Sequence, residues 1–445
     1  MKISVVGLGK LGLCTATYFA SKGHKVIGVE KDRCLIDKLK ERKCPIKETG
    51  LSELLSVAWD NFEVTEDLAQ AVCSTEATLI IVPTPSLPDG RFSNQYLETV
   101  LREIGPVLGS KAEFHVVDVV STVMPGSCGK VFKPLLEELS GKSCGRDFGL
   151  VYNPEFIALG SVIRDFARPD MVLIGASDRR SAAVIEQLYV SSCENEPHIA
   201  GMSLINAEIT KLSLNCFVTT KISFANELSN ICERVPGADV DAITEAIGSD
   251  SRVGGKYLRG GLGFGGTCFP RDNIAFHAFT NELDYDAKLS KATVAVNDGV
   301  VDKLYAIITE NTAPGGRVGL LGLSYKPHTH IIEQSQSVDL AGRLAEGGYE
   351  VNVFDPAALD SAKEALAETV SYCCDPYQCA SACDAVVLLT PWPEFKNSDW
   401  QRIDKETRAG AILVDSWRQL KDKSFVNMRY VGLGLGASKE PAGVL

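Results

Sequence analysis

The opening residues, MKISVVGLGKLG, constrain this chain more than any other passage. Residues 3–7 are an apolar β run that passes directly into Gly7-Leu8-Gly9-Lys10-Leu11-Gly12, and a helical stretch, LCTATYFASKG, follows. A second β run, HKVIGVE, ends on Glu30, 18 residues past the last glycine of the turn. Alone, G-x-G-x-x-G says little. Between a strand and a helix, with an acid at the end of the next strand, it is the fingerprint of a dinucleotide-binding βαβ unit. Glycines let backbone approach a pyrophosphate, and the helix start offers it unpaired N–H groups. Glu30 is placed to accept hydrogen bonds from an adenosine ribose and to repel a 2′-phosphate, which favours NAD over NADP, while the cations Lys31 and Arg33 beside it pull the other way.

Apolar runs recur at 77–85, 114–122 and 148–155 with helical stretches between them, the alternation expected of a parallel sheet. Polar residues stand where these runs end, notably Thr84, Ser121, Thr122, Asn153 and Glu155, and carboxyl ends of strands are where open α/β sheets bind ligands. Residues 203–234 contain no Gly or Pro and predict one long helix, with Lys211 and Asn215 on one face. A glycine-rich segment (254–266) and further helix to about 310 follow. At 317 a second nucleotide-fold pattern begins with RVGLLGLSYKP, and its second strand ends on Asp355. The expected fold is therefore α/β, with two Rossmann-like parallel-sheet domains joined by a long central helix. The expected boundaries are 1–200 for the dinucleotide domain, 201–300 for a helical dimerisation domain and 301–445 for a second Rossmann-like domain.

A net charge of −12 argues against a nucleic-acid or anionic-membrane surface, but leaves room for a small anion held by a few local cations. No run of apolar residues is long enough for a transmembrane helix, and the N-terminus lacks signal-peptide character, so a cytoplasmic protein is expected. The 14 cysteines and six histidines show no metal-ligand spacing, so no metal is expected. Most of the cysteines should be small buried apolar side chains. Cys268, inside GFGGTCFPRD (263–272), is the one whose setting among glycines raises a different possibility.

Eight segments in order, the N-terminal glycine turn, VPTP (82–85), STVMPG (121–126), NPEF (153–156), K-L-x-x-N (211–215), DSRVG (250–254), GFGGTCFPRD and GLSYKP (322–327), make the chain resemble the UDP-glucose/GDP-mannose dehydrogenase family along essentially its whole length. The resemblance implies NAD-dependent, metal-free oxidation of the C6 alcohol of a nucleotide sugar to the carboxylate. UDP-glucose is the default substrate; GDP-mannose and a UDP-N-acetylhexosamine are the alternatives. It implies Cys268 as nucleophile, forming a thiohemiacetal and then a thioester. Lys211 and Asn215 match the pair that stabilises charge on the C6 oxygen, Asp272 the acid near that lysine, Glu155 the base for thioester hydrolysis, and Thr122 the residue that helps place the water. Cofactor contacts map to Gly7, Gly9, Lys10, Leu11 and Gly12, to Glu30 and Lys31, to Val82, Pro83 and Thr84, and to Ser121, Thr122 and Arg271. Substrate contacts map to Glu155, Phe156, Ile157, Lys211 and Asn215, to Arg252, Tyr257 and Arg259, to Phe264 and Gly265, and to Tyr325, Lys326 and Arg418. The cations among them suit a diphosphate. A homodimer or larger homo-oligomer built across the long helix is expected, with Arg252 reaching toward a neighbouring subunit's site.

The chain departs from the family pattern in four places. Leu159 stands where a second glutamate is usual. In YKPHTHIIEQSQ, His330 and Ile331 replace two aspartates, Glu333 an arginine and Gln336 a proline. In DSWRQL, Trp417 takes an arginine's place, with Arg418 one residue on, and Met171 follows Pro-Asp where an arginine is common. Two rivals stand beside this reading: a two-electron NAD alcohol dehydrogenase, which needs no thiol, and a non-catalytic nucleotide-sugar-binding protein, for which Leu159 and Glu333 are the only support.

Overall fold

The computed structural model describes residues 1–157 and 160–437. The chain divides into two compact units, Met1–Ser213 and Leu214–Leu445.

The first unit is built on eight strands: β1 (Lys2–Val6), β2 (Lys25–Val29), β3 (Phe62–Thr65), β4 (Ala77–Ile80), β5 (Val116–Val119), β6 (Gly149–Tyr152), β7 (Met171–Ala176) and β8 (His198–Ser203). They form one sheet in the order β3-β2-β1-β4-β5-β6-β7-β8. Helices cover both faces, so the central strands β4, β5 and β6 are buried at every position, which is why they read as unbroken apolar runs. One junction departs from the parallel sheet expected: β7 runs antiparallel to β6, with Val151 opposite Ala176 and Tyr152 opposite Gly175. An aromatic cluster fills one face, with Phe19 edge-on to Tyr189 at 5.6 Å between ring centres and Tyr18 stacked on Phe166 at 5.6 Å.

The second unit carries β9 (Arg317–Leu321), β10 (Glu350–Phe354), β11 (Ser371–Tyr372), β12 (Ala385–Leu388), β13 (Ala411–Asp415) and β14 (Met428–Gly432). Its order, β11-β10-β9-β12-β13-β14, repeats that of the first six strands of the other sheet. The predicted long helix is Leu204–Cys232, and the division between the units falls inside it. In the second unit it is followed by helices Val240–Ser249, Phe269–Glu282 and Lys288–Asn311. No helix among the described residues is long and apolar enough to cross a membrane. All 14 cysteines are free, but only seven are buried, fewer than expected.

Candidate active site

In the first unit, β1 hands over to the helix Lys10–Ser21 through a turn in which Gly7 has φ +89°. A Cβ on Gly7 would lie 2.4 Å from the Ile81 carbonyl oxygen, and one on Gly12 only 1.8 Å from the Gly7 carbonyl oxygen, so neither position tolerates a side chain. A Cβ on Gly9 would meet nothing within 4 Å. No side chain caps this helix, which leaves its first-turn N–H groups available to an anion. The cradle fits a dinucleotide pyrophosphate. Glu30 Oε2 accepts the Leu8 N–H at 2.8 Å, and Oε1 accepts the Lys31 N–H at 2.7 Å, so the carboxylate is aimed at the turn. Lys31 and Arg33, the two cations that argued for a 2′-phosphate, pair with Glu103 and Glu66 at 2.9 and 3.2 Å.

Two neighbouring strand ends are stitched together beside the cradle. Ser121 Oγ accepts the Val82 N–H at 3.0 Å and donates to the Val82 carbonyl at 2.7 Å, and Thr84 Oγ1 donates to the Thr122 carbonyl at 2.8 Å. This fixes the Val82-Pro83-Thr84 loop against the Ser121-Thr122 loop. Sequence reasoning did not find Glu208, which supports that second loop from the long helix. Its fully buried carboxylate accepts the Gly126 and Cys128 N–H groups at 2.6 and 2.7 Å. Those partners lie 82 and 80 residues away along the chain, and no local pattern signals such a contact.

One helical turn beyond Glu208, Lys211 is almost buried; its ammonium donates to the Glu155 carbonyl at 2.5 Å and lies 4.4 Å from the Phe156 ring centre. Glu155 Oε1 accepts the Tyr189 hydroxyl. Loss of solvation pushes the Glu155 carboxyl up to about 7, against the opposing pull of the Tyr189 hydrogen bond and the Lys211 charge. A carboxyl poised there can act as a general base near neutral pH. Glu155, Phe156 and Lys211 thus lie together. Ile157 ends the described stretch, and Leu159 lies outside the described residues.

In the second unit, Asn215 Nδ2 donates to Asp272 Oδ2 at 2.5 Å, with both residues buried. Asp272 is in the first turn of the helix Phe269–Glu282, and its N–H donates to the Cys268 carbonyl at 2.8 Å. Cys268 is exposed at the N-cap of that helix, which has no side-chain cap, so the helix start faces outward around the thiol. Gly265 and Gly266 let the 322–335 loop pack closely here. A Cβ on Gly265 would lie 2.4 Å from the Gln334 carbonyl oxygen, and one on Gly266 would lie 2.7 Å from the Tyr325 ring. Burial, followed by the proximity of Cys268, pushes the Tyr325 phenol up to about 12. Tyr257, with φ +64°, stands edge-on to Phe269 at 6.1 Å, beside the cysteine.

The remaining predicted contacts vary. Phe264 is buried, and its N–H donates to Asn297 Oδ1 at 2.7 Å. Lys326 lies over the Tyr325 ring, 5.6 Å from its centre. Arg252 is highly exposed and pairs with Asp250 at 2.7 Å. Arg259 is half exposed and donates to the Trp417 carbonyl at 3.3 Å. Arg418 differs from what was expected. Its side chain is fully buried and bonds Asp241 through two nitrogens, along with the carbonyls of Gly260, Ser416 and Leu433, so its donors are taken up by the fold.

The departures from the family pattern gain a physical account here. Gln336 accepts the Gly263 N–H at 2.6 Å and donates to the Asn297 carbonyl at 2.8 Å, so it holds the glycine segment in place. Glu333 contributes its backbone carbonyl to the Gly266 N–H at 2.9 Å and is itself exposed, as is His330, whereas Ile331 is buried. The Trp417 ring lies on Gly261, where a Cβ would approach it to 2.6 Å.

A glycine cradle at the end of β1, with a carboxylate closing β2, defines a Rossmann dinucleotide-binding domain. Three models of one family match the chain in order: the UDP-glucose/GDP-mannose dehydrogenase NAD-binding domain at 1–192, the central domain at 205–299 and the UDP-binding domain at 319–422. The UDP-glucose 6-dehydrogenase of Haloferax volcanii is 34% identical over 90% of this chain and 93% of its own. The GDP-mannose 6-dehydrogenase of Pseudomonas syringae is 36% identical over 80% of this chain and 81% of its own. The solved UDP-glucose dehydrogenase of Pyrobaculum islandicum superposes with a TM-score of 0.87 at 33% identity, covering 98% of both chains. The chain belongs to the UDP-glucose/GDP-mannose dehydrogenase family. It is an oxidoreductase, and its cofactor is NAD.

Proposed function

We propose that this enzyme oxidises the C6 alcohol of a nucleotide sugar to the carboxylate in two hydride-transfer steps, with UDP-glucose as its substrate. The observation that carries the reading is Cys268, exposed at an uncapped helix N-terminus one turn from the Asn215–Asp272 pair. A one-step alcohol oxidation has no use for a thiol in that position.

NAD, held by the Gly7–Gly12 cradle and by Glu30, supplies the hydride acceptor. As the alcohol becomes an aldehyde, its hydroxyl proton leaves, and Lys211 and Asn215 stabilise the charge that develops on oxygen. Asp272, bonded to Asn215, takes part in passing the proton on. The Cys268 sulfur then adds to the aldehyde carbon, forming a C–S bond and giving a thiohemiacetal. Loss of a second hydride and a proton leaves a thioester. Water positioned by Thr122 attacks the carbonyl, Glu155 takes its proton, the C–S bond breaks and the thiol is restored. The net change is one alcohol and one water converted to a carboxylate, with two hydrides and three protons released.

Arg252, Arg259 and Lys326 supply the charge that lets an acidic protein hold a diphosphate. Domains at 1–200, 201–300 and 301–445, a cytoplasmic location and a homodimer complete the reading. Phe217, Phe224 and Ile231 support the dimer: they lie seven residues apart along the long helix and are 67%, 46% and 52% exposed. A stripe at that spacing suits a second copy of the same helix. Cys268→Ser tests the chemistry. It should abolish formation of the acid; a variant that still makes the acid would remove the thioester from the mechanism.

A further inference from the structure

Glu155 is held from two sides within the first unit. Lys211 takes its backbone carbonyl, and a tyrosine far along the chain takes its carboxylate: Tyr189 OH donates to Oε1 at 2.5 Å. Tyr189 is 3% exposed, sits in the last turn of the helix Arg179–Val190, and has its ring fixed edge-on to Phe19. A cavity of about 10 Å³, lined by Asn153, Glu155, Asp165, Phe166 and Tyr189 among others, is too small for a substrate group and large enough for about one water. Asn153 Oδ1 is buried there without a hydrogen-bond partner among the described residues. The phenol therefore meets the carboxylate from the protein interior, where its only role toward the chemistry is to act through Glu155.

We propose that Tyr189 is a positioning residue for the reaction: its hydroxyl orients the Glu155 carboxylate and keeps it available as a proton acceptor. The inference rests on the reading of Glu155 as the hydrolytic base. Four charged or titratable groups bear on that carboxyl: Tyr189, Lys211 and, through their own shifts, Asp118 and Cys193. Asp118 on β5 is fully buried with both carboxyl oxygens unpartnered among the described residues, and burial together with Glu155 raises it well above the ordinary carboxylate range. Tyr189 and Lys211 are the two groups that favour the ionised form of Glu155. Without the phenol donor, the carboxyl would titrate higher, so the sign of the effect is fixed.

The test is the pH dependence of acid formation in the wild-type enzyme, Glu155→Gln and Tyr189→Phe. Wild type should lose activity as pH falls through about 7. Tyr189→Phe keeps the ring and removes the donor; it should move that limb up by about one pH unit, a roughly tenfold loss at pH 6, with the rate recovered at high pH and KM for NAD unchanged. Placing 3-fluorotyrosine at position 189, a stronger donor, should move the limb the other way, and this arm stands if the Phe variant does not fold. A limb that stays in place in both variants, yet disappears in Glu155→Gln, would overturn the role of Tyr189 alone. A limb that survives in Glu155→Gln would overturn the base assignment, and the role of Tyr189 with it.

Discussion

The molecule contains the same six-strand plan twice and uses it in two ways. In both sheets a glycine with positive φ follows the first strand, Gly7 (+89°) and Gly322 (+103°). In each, a Cβ would collide with the chain just past a neighbouring strand, at Ile81 O and at Thr390 N. In both, the second strand is followed by an acid. After β1 the helix begins at Lys10; after β9 it begins only at Gln336. The intervening loop, 322–335, packs against Gly265 and Gly266. Glu30 is partly exposed beside an uncapped helix, whereas Asp355 is buried and its carboxylate accepts six hydrogen bonds, from the N–H groups of Leu323, Ser324, Ala357 and Ala358, Ser324 Oγ and Trp392 Nε1. The same topological position is left partly open beside the glycine cradle in one unit and is an internal scaffold in the other.

If the comparison holds, the two acids fail differently. Asp355→Ala should destabilise the protein by more than about 4 kcal/mol, since several buried donors at about 1–3 kcal/mol each lose their acceptor. Glu30→Ala should fold normally and weaken NAD binding. Denaturant unfolding and NAD titration of the two variants check this, and equal effects on stability would break the distinction. Arg418→Ala comes next. It should cost about 1–3 kcal/mol by leaving the carbonyls of Gly260, Ser416 and Leu433 and the partly exposed Asp241 without their donor, where Arg259→Ala should leave stability nearly unchanged and raise KM for the sugar nucleotide. Lys31→Ala should have the smallest effect. Its ion pair with Glu103 is exposed and worth at most about 1 kcal/mol, and NAD should remain preferred over NADP.

Much of the fold was readable from the sequence because two-sided burial makes central strands continuous apolar runs, and because glycine turns punctuate β1 and β9. The edges were not. β3 and β8 carry mixed, partly exposed patterns, and the antiparallel joint between β6 and β7 depends on chain direction, which side-chain type does not encode. Of the proposed site residues, Cys268 with Asp272 and Lys211 with Asn215 stood out in the sequence because each pair lies within one helical turn. Tyr189 and Glu208 did not, since each acts on a residue more than thirty positions away. Arg418 looked like a ligand contact by position, and only its burial places it in the scaffold.

The central claim is that Cys268 makes this a four-electron enzyme, and the most direct test is to count NADH formed per nucleotide sugar consumed, across a panel of UDP- and GDP-sugars. The account predicts two NADH per molecule of UDP-glucose with the carboxylate as product. One NADH per sugar with the aldehyde released would contradict it, and would leave Cys268 without a part in the reaction.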